Sequence, residues 1–354
     1  MTSKAREREA ERATLAFQLA LSQVGVSTIE DALKMWQDVP AASRSAASEK
    51  WLARAIELVM TRRTLSRELA RGYYRLVRAL LTGKTTPDPA HPEPEYITLG
   101  ELRRQFGMLT GEAEETPSKA ARDPQAVSST AGPSWGQSVE PVPSDEDAER
   151  DDDNDRILIE ELERIEADAD ASDAAAEQEL ETILQALGPD NLDKKLDELD
   201  DTLPAQEVDK LREEAHLQAG SRAAAGAARV AMNGGRSELW DSINKDKRAL
   251  AWARYSTTGT PCGWCAMLIS RGPVYKSQAS AEFSDGDLYH DNCHCAAIPV
   301  FSAQQYETSD TFALNRQYSE EWPRVTRGLS GKAALTAWRR YIRTQYKTPA
   351  QAAG

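Results

Sequence analysis

Apolar residues along the first 84 positions recur at three- and four-residue intervals, the spacing that places them on one face of an α-helix. Met1 to about Gly25 is rich in Ala, Glu, Arg and Leu, all good helix formers. The run Ser27-Thr28-Ile29-Glu30 has the form of a capping box and predicts a second, short helix through Leu33 and Trp36. A longer helix is expected from about Ser48 to Leu81, with Leu65, Leu69, Tyr73, Leu76 and Leu80 as an apolar stripe. Arg63, Arg67, Arg71, Arg75 and Arg78 fall on the opposite side. They read either as a grip for phosphates or an acidic protein wall, or as a plain solvated face.

The pattern breaks at Gly83. Residues 86–94 carry too many prolines for a helix or a central strand. A short helix follows from Thr98, capped by Glu101. From about Leu109 to Arg156 the chain is Ser, Pro, Thr, Ala, Glu and Asp, closing on SDEDAERDDDND, which predicts a disordered acidic tether. Heptad-like spacing then runs from Ile157 to about Met232, punctuated at Gly188-Pro189 and Pro204, and predicts acidic helices packed on each other or on partner copies. The small-residue run Ala223 to Ala228 permits close backbone approach but reads mostly as plain helix. Asn233-Gly234-Gly235 reads as the C-cap that ends it. No repeat of fixed period is visible.

After residue 250 the texture changes. Trp252 to Ser256, Pro273 to Lys276 and Ala297 to Phe301 are short, partly β-branched or aromatic, and bounded by Gly, Pro, Asp and Ser, which predicts short strands around loops. Beyond about Ser309 the helical pattern returns. Ser330 is placed to cap a helix with Leu335, Trp338 and Ile342 inward and Arg339, Arg340, Arg343 and Lys347 outside.

Charge sharpens this division. The 354 residues carry a net charge of −14, but residues 1–84 hold 15 Lys/Arg against 9 Asp/Glu and residues 311–354 hold 8 against 2. The middle, 85–310, therefore carries 20 basic and 46 acidic residues. Such a chain either touches a polyanion with its ends while its centre is repelled, or neutralises itself within one copy or between copies. The N-terminus MTSKAREREAERA has no apolar run after its charges, and no apolar stretch approaches the ~20 residues that span a bilayer, so neither secretion nor membrane insertion is expected.

The chemistry lies in one window. All four cysteines fall between Cys262 and Cys295, in Pro261-Cys-Gly-Trp-Cys265 and His290-Asp-Asn-Cys-His-Cys295. A disulfide-stapled protein would spread them, so clustering favours metal. The C-x-x-C spacing makes a knuckle with two sulfurs facing one ion, His290 and Cys293 repeat that spacing, and Cys295 offers a further sulfur. Zinc would accept Cys262, Cys265 and two of His290, Cys293 and Cys295. His294 reads as a bystander or as a hydrogen-bond donor behind a ligand. The competing readings are a redox pair or free thiols, which leave His290 unexplained, and a catalytic zinc. A structural ion suits a module with few apolar residues.

These residues also carry a resemblance. The run ARYSTTGTPCGWCAMLISRGPVYKS followed by YHDNCHCAAIPVF, with ARVAMNGGR ending at Arg236 upstream, resembles the MuF-like minor head proteins of tailed phages, most of all those of actinobacterial phages. The likeness is close over about residues 225–302 and looser over the helical N-terminal part. It implies a head protein at the portal and capsid interior, in the virion after assembly in the host cytoplasm, with portal, capsid or scaffold proteins as partners. It also implies a part in DNA packaging or ejection; the basic ends, through the five arginines and the C-terminal tail, are expected from their charge to give weak, non-specific DNA contact. Some relatives carry the label capsid maturation protease, which makes a prohead protease the alternative.

The residues give that alternative little. No H-E-x-x-H or G-x-S-x-G occurs, and of the four histidines only His216 is expected to be both structured and outside the metal window. Pro261-Cys-x-x-Cys265 matches half of a deaminase signature, but the H-x-E half occurs only as His91-Pro-Glu93, far upstream. Neither Gly83-Lys84-Thr85 nor Gly331-Lys332 completes a phosphate-binding loop. The expected fold is mainly α, with helical N-terminal and central segments, a disordered acidic linker and a small zinc-stapled α+β C-terminal module. Its divisions are a basic helical domain (1–84), a Pro-rich and acidic linker with one short helix (85–156), an acidic helical segment (157–235), the Cys/His module (236–310) and a basic helical tail (311–354).

Overall fold

Three long helices carry the architecture: α1 (Ser3–Trp36), α2 (Ala46–Thr82) and α6 (Ala205–Lys245). The computed structural model describes residues 3–41, 46–86, 96–111, 126–128, 173–200, 202–256, 261–275, 293 and 295–345. Most of the expected tether lies outside these. Between the long helices come strand β1 (Tyr96–Thr98), helix α3 (Leu99–Thr110), strand β2 (Ala126–Ser128), helix α4 (173–187) and helix α5 (Pro189–Asp197). β1 and β2 pair antiparallel with Ile97 opposite Val127, so the tether expected to be structureless contributes one strand. Thr98 caps α3 as the sequence predicts, accepting from the Glu101 amide, and Gly111 ends that helix in the left-handed region.

Two expected breaks are absent. α1 runs through Ser27 without a cap, because the hydroxyls of Ser27 and Thr28 both turn back to the Val24 carbonyl oxygen, at 3.2 and 2.6 Å, inside a continuous helix. α6 runs through Gly234-Gly235, because these glycines are needed for contact rather than for a turn. A Cβ on Gly234 would stand 2.5 Å from the Arg63 carbonyl oxygen, and one on Gly235 would stand 2.3 Å from that of Ser66. The small residues further up α6 serve the same purpose. Gly220 lies under the Trp36 indole, whose Nε1 donates to the His216 carbonyl oxygen at 2.9 Å, and Ala219, Ala223, Ala224 and Ala227 are buried beside it. At 41 residues α6 is about 60 Å long, and it lines two core clusters. One gathers Trp36, Trp51, Leu180, Leu184 and the small residues of α6; the other gathers Phe17, Tyr73, Leu76, Phe106, Leu239 and Ile243 with the sheet described below. The segments 1–84 and 157–235, drawn as separate in the sequence, thus contribute to shared cores.

The arginine stripe of α2 faces inward. Its leucine side packs on α1 and α3, four of its arginines meet acidic residues of α4 and α6 or just after α6, and Arg75 turns to α3, so this part of α2 has little solvent face. Arg63 and Arg67 pair with Asp173 at 2.6 and 2.5 Å, Arg71 pairs with Glu238 at 3.2 Å, and Arg78 pairs with Asp246 at 2.6 Å. Arg75 donates to the Thr86 carbonyl oxygen at 3.0 Å and to Gln105 at 3.2 Å. The expectation that these five arginines form an outward grip is therefore corrected. Period analysis assigns one buried face to a helix that here has two.

The C-terminal module is a three-stranded antiparallel sheet of β3 (Ala251–Tyr255), β4 (Val274–Tyr275) and β5 (Ala296–Val300) in the order β4-β3-β5, with Ala251 opposite Val300 and Tyr255 opposite Ala296. Helix α7 (Gly263–Ser270) connects β3 to β4. The short α8 (Ala303–Thr308), one 3₁₀ turn (Asp310–Phe312), α9 (Ala313–Val325) and α10 (Gly331–Gln345) complete the chain. α7, α9 and α10 share a small core of Leu268, Ile269, Tyr318, Trp338 and Ile342. The fold is mainly helical with few strands, as expected. Trp338 and Ile342 point inward and Arg339, Arg340 and Arg343 outward on α10, also as expected.

Candidate metal centre

The C-x-x-C run folds as the start of α7. Cys262 is the N-cap, and its sulfur accepts from the Cys265 backbone N–H at 3.3 Å. This turns the Cys265 side chain inward from the first helical turn while Cys262 stays exposed at the rim. Cys293 and Cys295 come in just before β5, whose pairing with β3 holds them beneath α7. The three inner thiols meet: Cys265 lies 3.4 Å from Cys293 and 3.2 Å from Cys295, and Cys293 lies 3.1 Å from Cys295. All three are buried, whereas a disulfide would bring two sulfurs to about 2.05 Å.

This cluster of three cysteines could hold a metal ion. Tetrahedral sulfurs bonded at about 2.3 Å stand roughly 3.8 Å apart, so an ion requires the triangle to open by about half an ångström. The three thiols also set one another's protonation. The Cys293 thiol is pulled well below the ordinary value by hydrogen bonds from Cys265 and Cys295, with the Arg236 charge adding to them. Cys265 is pushed far up by its contacts with Cys262, Cys293 and Cys295 and by burial. Cys295 rises to about 11, because the bond from Cys265 that lowers it is outweighed by contact with Cys293 and by burial. One thiolate among three is what such crowding permits without a cation.

Of the residues expected in the site, the structure brings Cys265, Cys293 and Cys295 together and leaves Cys262 at their edge. His290 lies outside the described residues, as do His294 and His91. His216 is part of the bundle: its Nε2 lies 2.7 Å from the Val39 carbonyl oxygen and its ring stacks on Trp36.

Two arginines at the cluster have no role in the sequence reading. Arg254 of β3 places Nη1 3.8 Å from the Cys295 sulfur, and Arg236 of α6 donates from Nη2 to the Cys293 carbonyl oxygen. Asn315 of α9 holds the Arg254 backbone by donating to its carbonyl oxygen at 2.9 Å and also donates to that of Ile269 at 3.2 Å, which ties β3, α7 and α9 together. The available signal was an arginine amid Ala, Trp and Tyr in a strand, and another directly after two glycines.

Among the described residues no helix is long and apolar enough to cross a membrane. No solved structure matches the chain. Residues 205–321, from the start of α6 through most of α9, match the family described as VG15 protein. The Gene 15 protein of Mycobacterium phage D29 is 29% identical over 101 residues, covering 20% of this chain and 37% of that protein, so the chain spans little more than a third of the relative's length. The stretch that builds the thiol cluster is therefore similar to the VG15 family, and the chain's similarity to the Gene 15 protein is a similarity to a phage protein.

Proposed function

We propose that this chain is a MuF-like minor head protein of a phage, placed at the portal and capsid interior, whose C-terminal module is held together by a structural zinc ion. The observation that carries the reading is the closed thiol cluster itself. Three sulfurs buried between α7 and β5 lie inside the stretch that matches the VG15 family. Cys265, Cys293 and Cys295 supply three ligands, and Cys262 or His290 supplies the fourth. Soft sulfur ligands suit zinc, and three buried sulfurs completed by a fourth protein ligand suit a staple rather than an open catalytic position. The partners are portal, capsid or scaffold proteins. The exposed Arg339, Arg340 and Arg343 of α10, with the rest of the tail, make a weak, sequence-blind contact with DNA during packaging or ejection.

Coexpression with portal, capsid and scaffold proteins tests this role. Copurification with the portal and intact capsid protein are expected. Specific cleavage of capsid or scaffold protein that is lost in a His216→Ala variant would favour a prohead protease instead.

A further inference from the structure

Three thiolates around a dication leave one negative charge and four leave two, and here that charge would sit among residues less than 5% exposed. A buried charge is strongly unfavourable unless an opposite one lies beside it. Two guanidinium groups meet that need. Arg254 is 0% exposed and faces the Cys295 sulfur at 3.8 Å; Arg236 is 1% exposed and holds the carbonyl of Cys293. Both remain charged at any working pH. Thiolates on a metal at Cys293 and Cys295 would lie beside both charges.

Arg236 projects from a fixed point. The residue before it, Gly235, is clamped against α2 by a 2.8 Å bond from its amide to the Ser66 hydroxyl, and Asn233 steadies the guanidinium at 3.0 Å. Its acceptor belongs to the short segment that brings in both Cys293 and Cys295. A contact from the bundle therefore orients two of the three sulfurs, in the way that groups bonded to ligands tune a metal site.

We infer that Arg236 and Arg254 are the counter-charges of a metal–thiolate centre at Cys265, Cys293 and Cys295, and that through Arg236 the loaded centre fastens the helical bundle to the C-terminal module. This rests on the metal reading of the site. Both are positioning residues, acting through the sulfurs.

The test loads the full-length protein with zinc and follows its removal by a chromogenic chelator. Arg236→Gln and Arg254→Gln are expected to release zinc at least about tenfold faster than wild type. Arg254→Lys should recover part of the difference, which glutamine would match if packing alone mattered. Arg212→Gln, at an exposed arginine elsewhere on α6, should behave as wild type. Unchanged sulfur-to-cobalt absorption after cobalt substitution shows that the ligands are intact. Wild-type release rates in both glutamine variants, with zinc still bound, overturn the inference and leave the metal reading standing. A wild-type protein that takes up no zinc overturns both. If the variants do not fold, wild type still decides. The guanidinium ¹⁵N resonances of Arg236 and Arg254 should move when metal-free protein is loaded with cadmium, and unmoved resonances overturn the inference.

Discussion

Gly235 of α6 touches Ser66 of α2 so closely that the Gly235 amide donates to the Ser66 hydroxyl at 2.8 Å, and that hydroxyl in turn donates to the Ala231 carbonyl oxygen at 2.7 Å. Here two helix backbones meet with almost no side chain between them. The contact sets the position of Arg236, which holds the Cys293 carbonyl oxygen.

Gly235→Ala should therefore destabilise the protein although alanine is the better helix former by about 1 kcal/mol. The added methyl would meet the Ser66 backbone, which cannot yield without moving α2, and overpacking of this kind costs about 1–3 kcal/mol. Denaturant unfolding measures it; a variant as stable as wild type would mean that the helices are further apart.

Asp246 is the acidic end of a buried pair with Arg78, and it also accepts from the Tyr74 hydroxyl at 2.7 Å. Burial alone would raise its carboxyl, but the Arg78 charge and the bonds from Arg78, Tyr74 and the Arg248 amide hold it below the ordinary range. Its contribution to stability is complete above about pH 4, the ordinary aspartate value, and is lost as pH falls through the depressed native value. Asp246→Asn leaves Arg78 buried without its counter-ion and should cost about 3–5 kcal/mol. The acid-induced loss of stability should be smaller in that variant than in wild type. Equal acid profiles would argue against the pair.

Charge reversal separates the two arginine sets. Arg63→Glu with Arg67→Glu places two carboxylates against Asp173 and Glu238 and should abolish folding or lower the melting temperature sharply. Arg340→Glu with Arg343→Glu changes only an exposed face, so the melting temperature should hold while retention on DNA at low salt falls. Unchanged melting in the first pair would restore the picture of an outward stripe.

His216→Ala should cost roughly 1–2 kcal/mol, through the lost bond to Val39 and the lost stacking on Trp36. A variant that keeps full stability would free His216 for another role.

How much of this was legible in the sequence follows from the range of each interaction. The α3 cap, the short strands and the inward Trp338 and Ile342 depend on residues a few positions apart, and local pattern finds them. The meeting of Cys265, Cys293 and Cys295 was legible because all four cysteines fall in one short window. The arginine stripe was misread because its partners Asp173, Glu238 and Asp246 lie more than a hundred positions away. Gly234 and Gly235 were misread for a related reason: a glycine that ends a helix and a glycine that admits a neighbouring backbone look alike until the neighbour is known. Arg236 and Arg254 became visible only when β3, β5 and α6 were brought to one place.

The central claim is that the thiol cluster is a metal centre that holds the module together. Elemental analysis of full-length protein purified without chelator tests it most directly. The account predicts about one zinc per chain, absent from a Cys265→Ser variant whose residues 250–302 then become sensitive to protease. Near-zero zinc in wild-type protein, with that region resistant to protease, would contradict it.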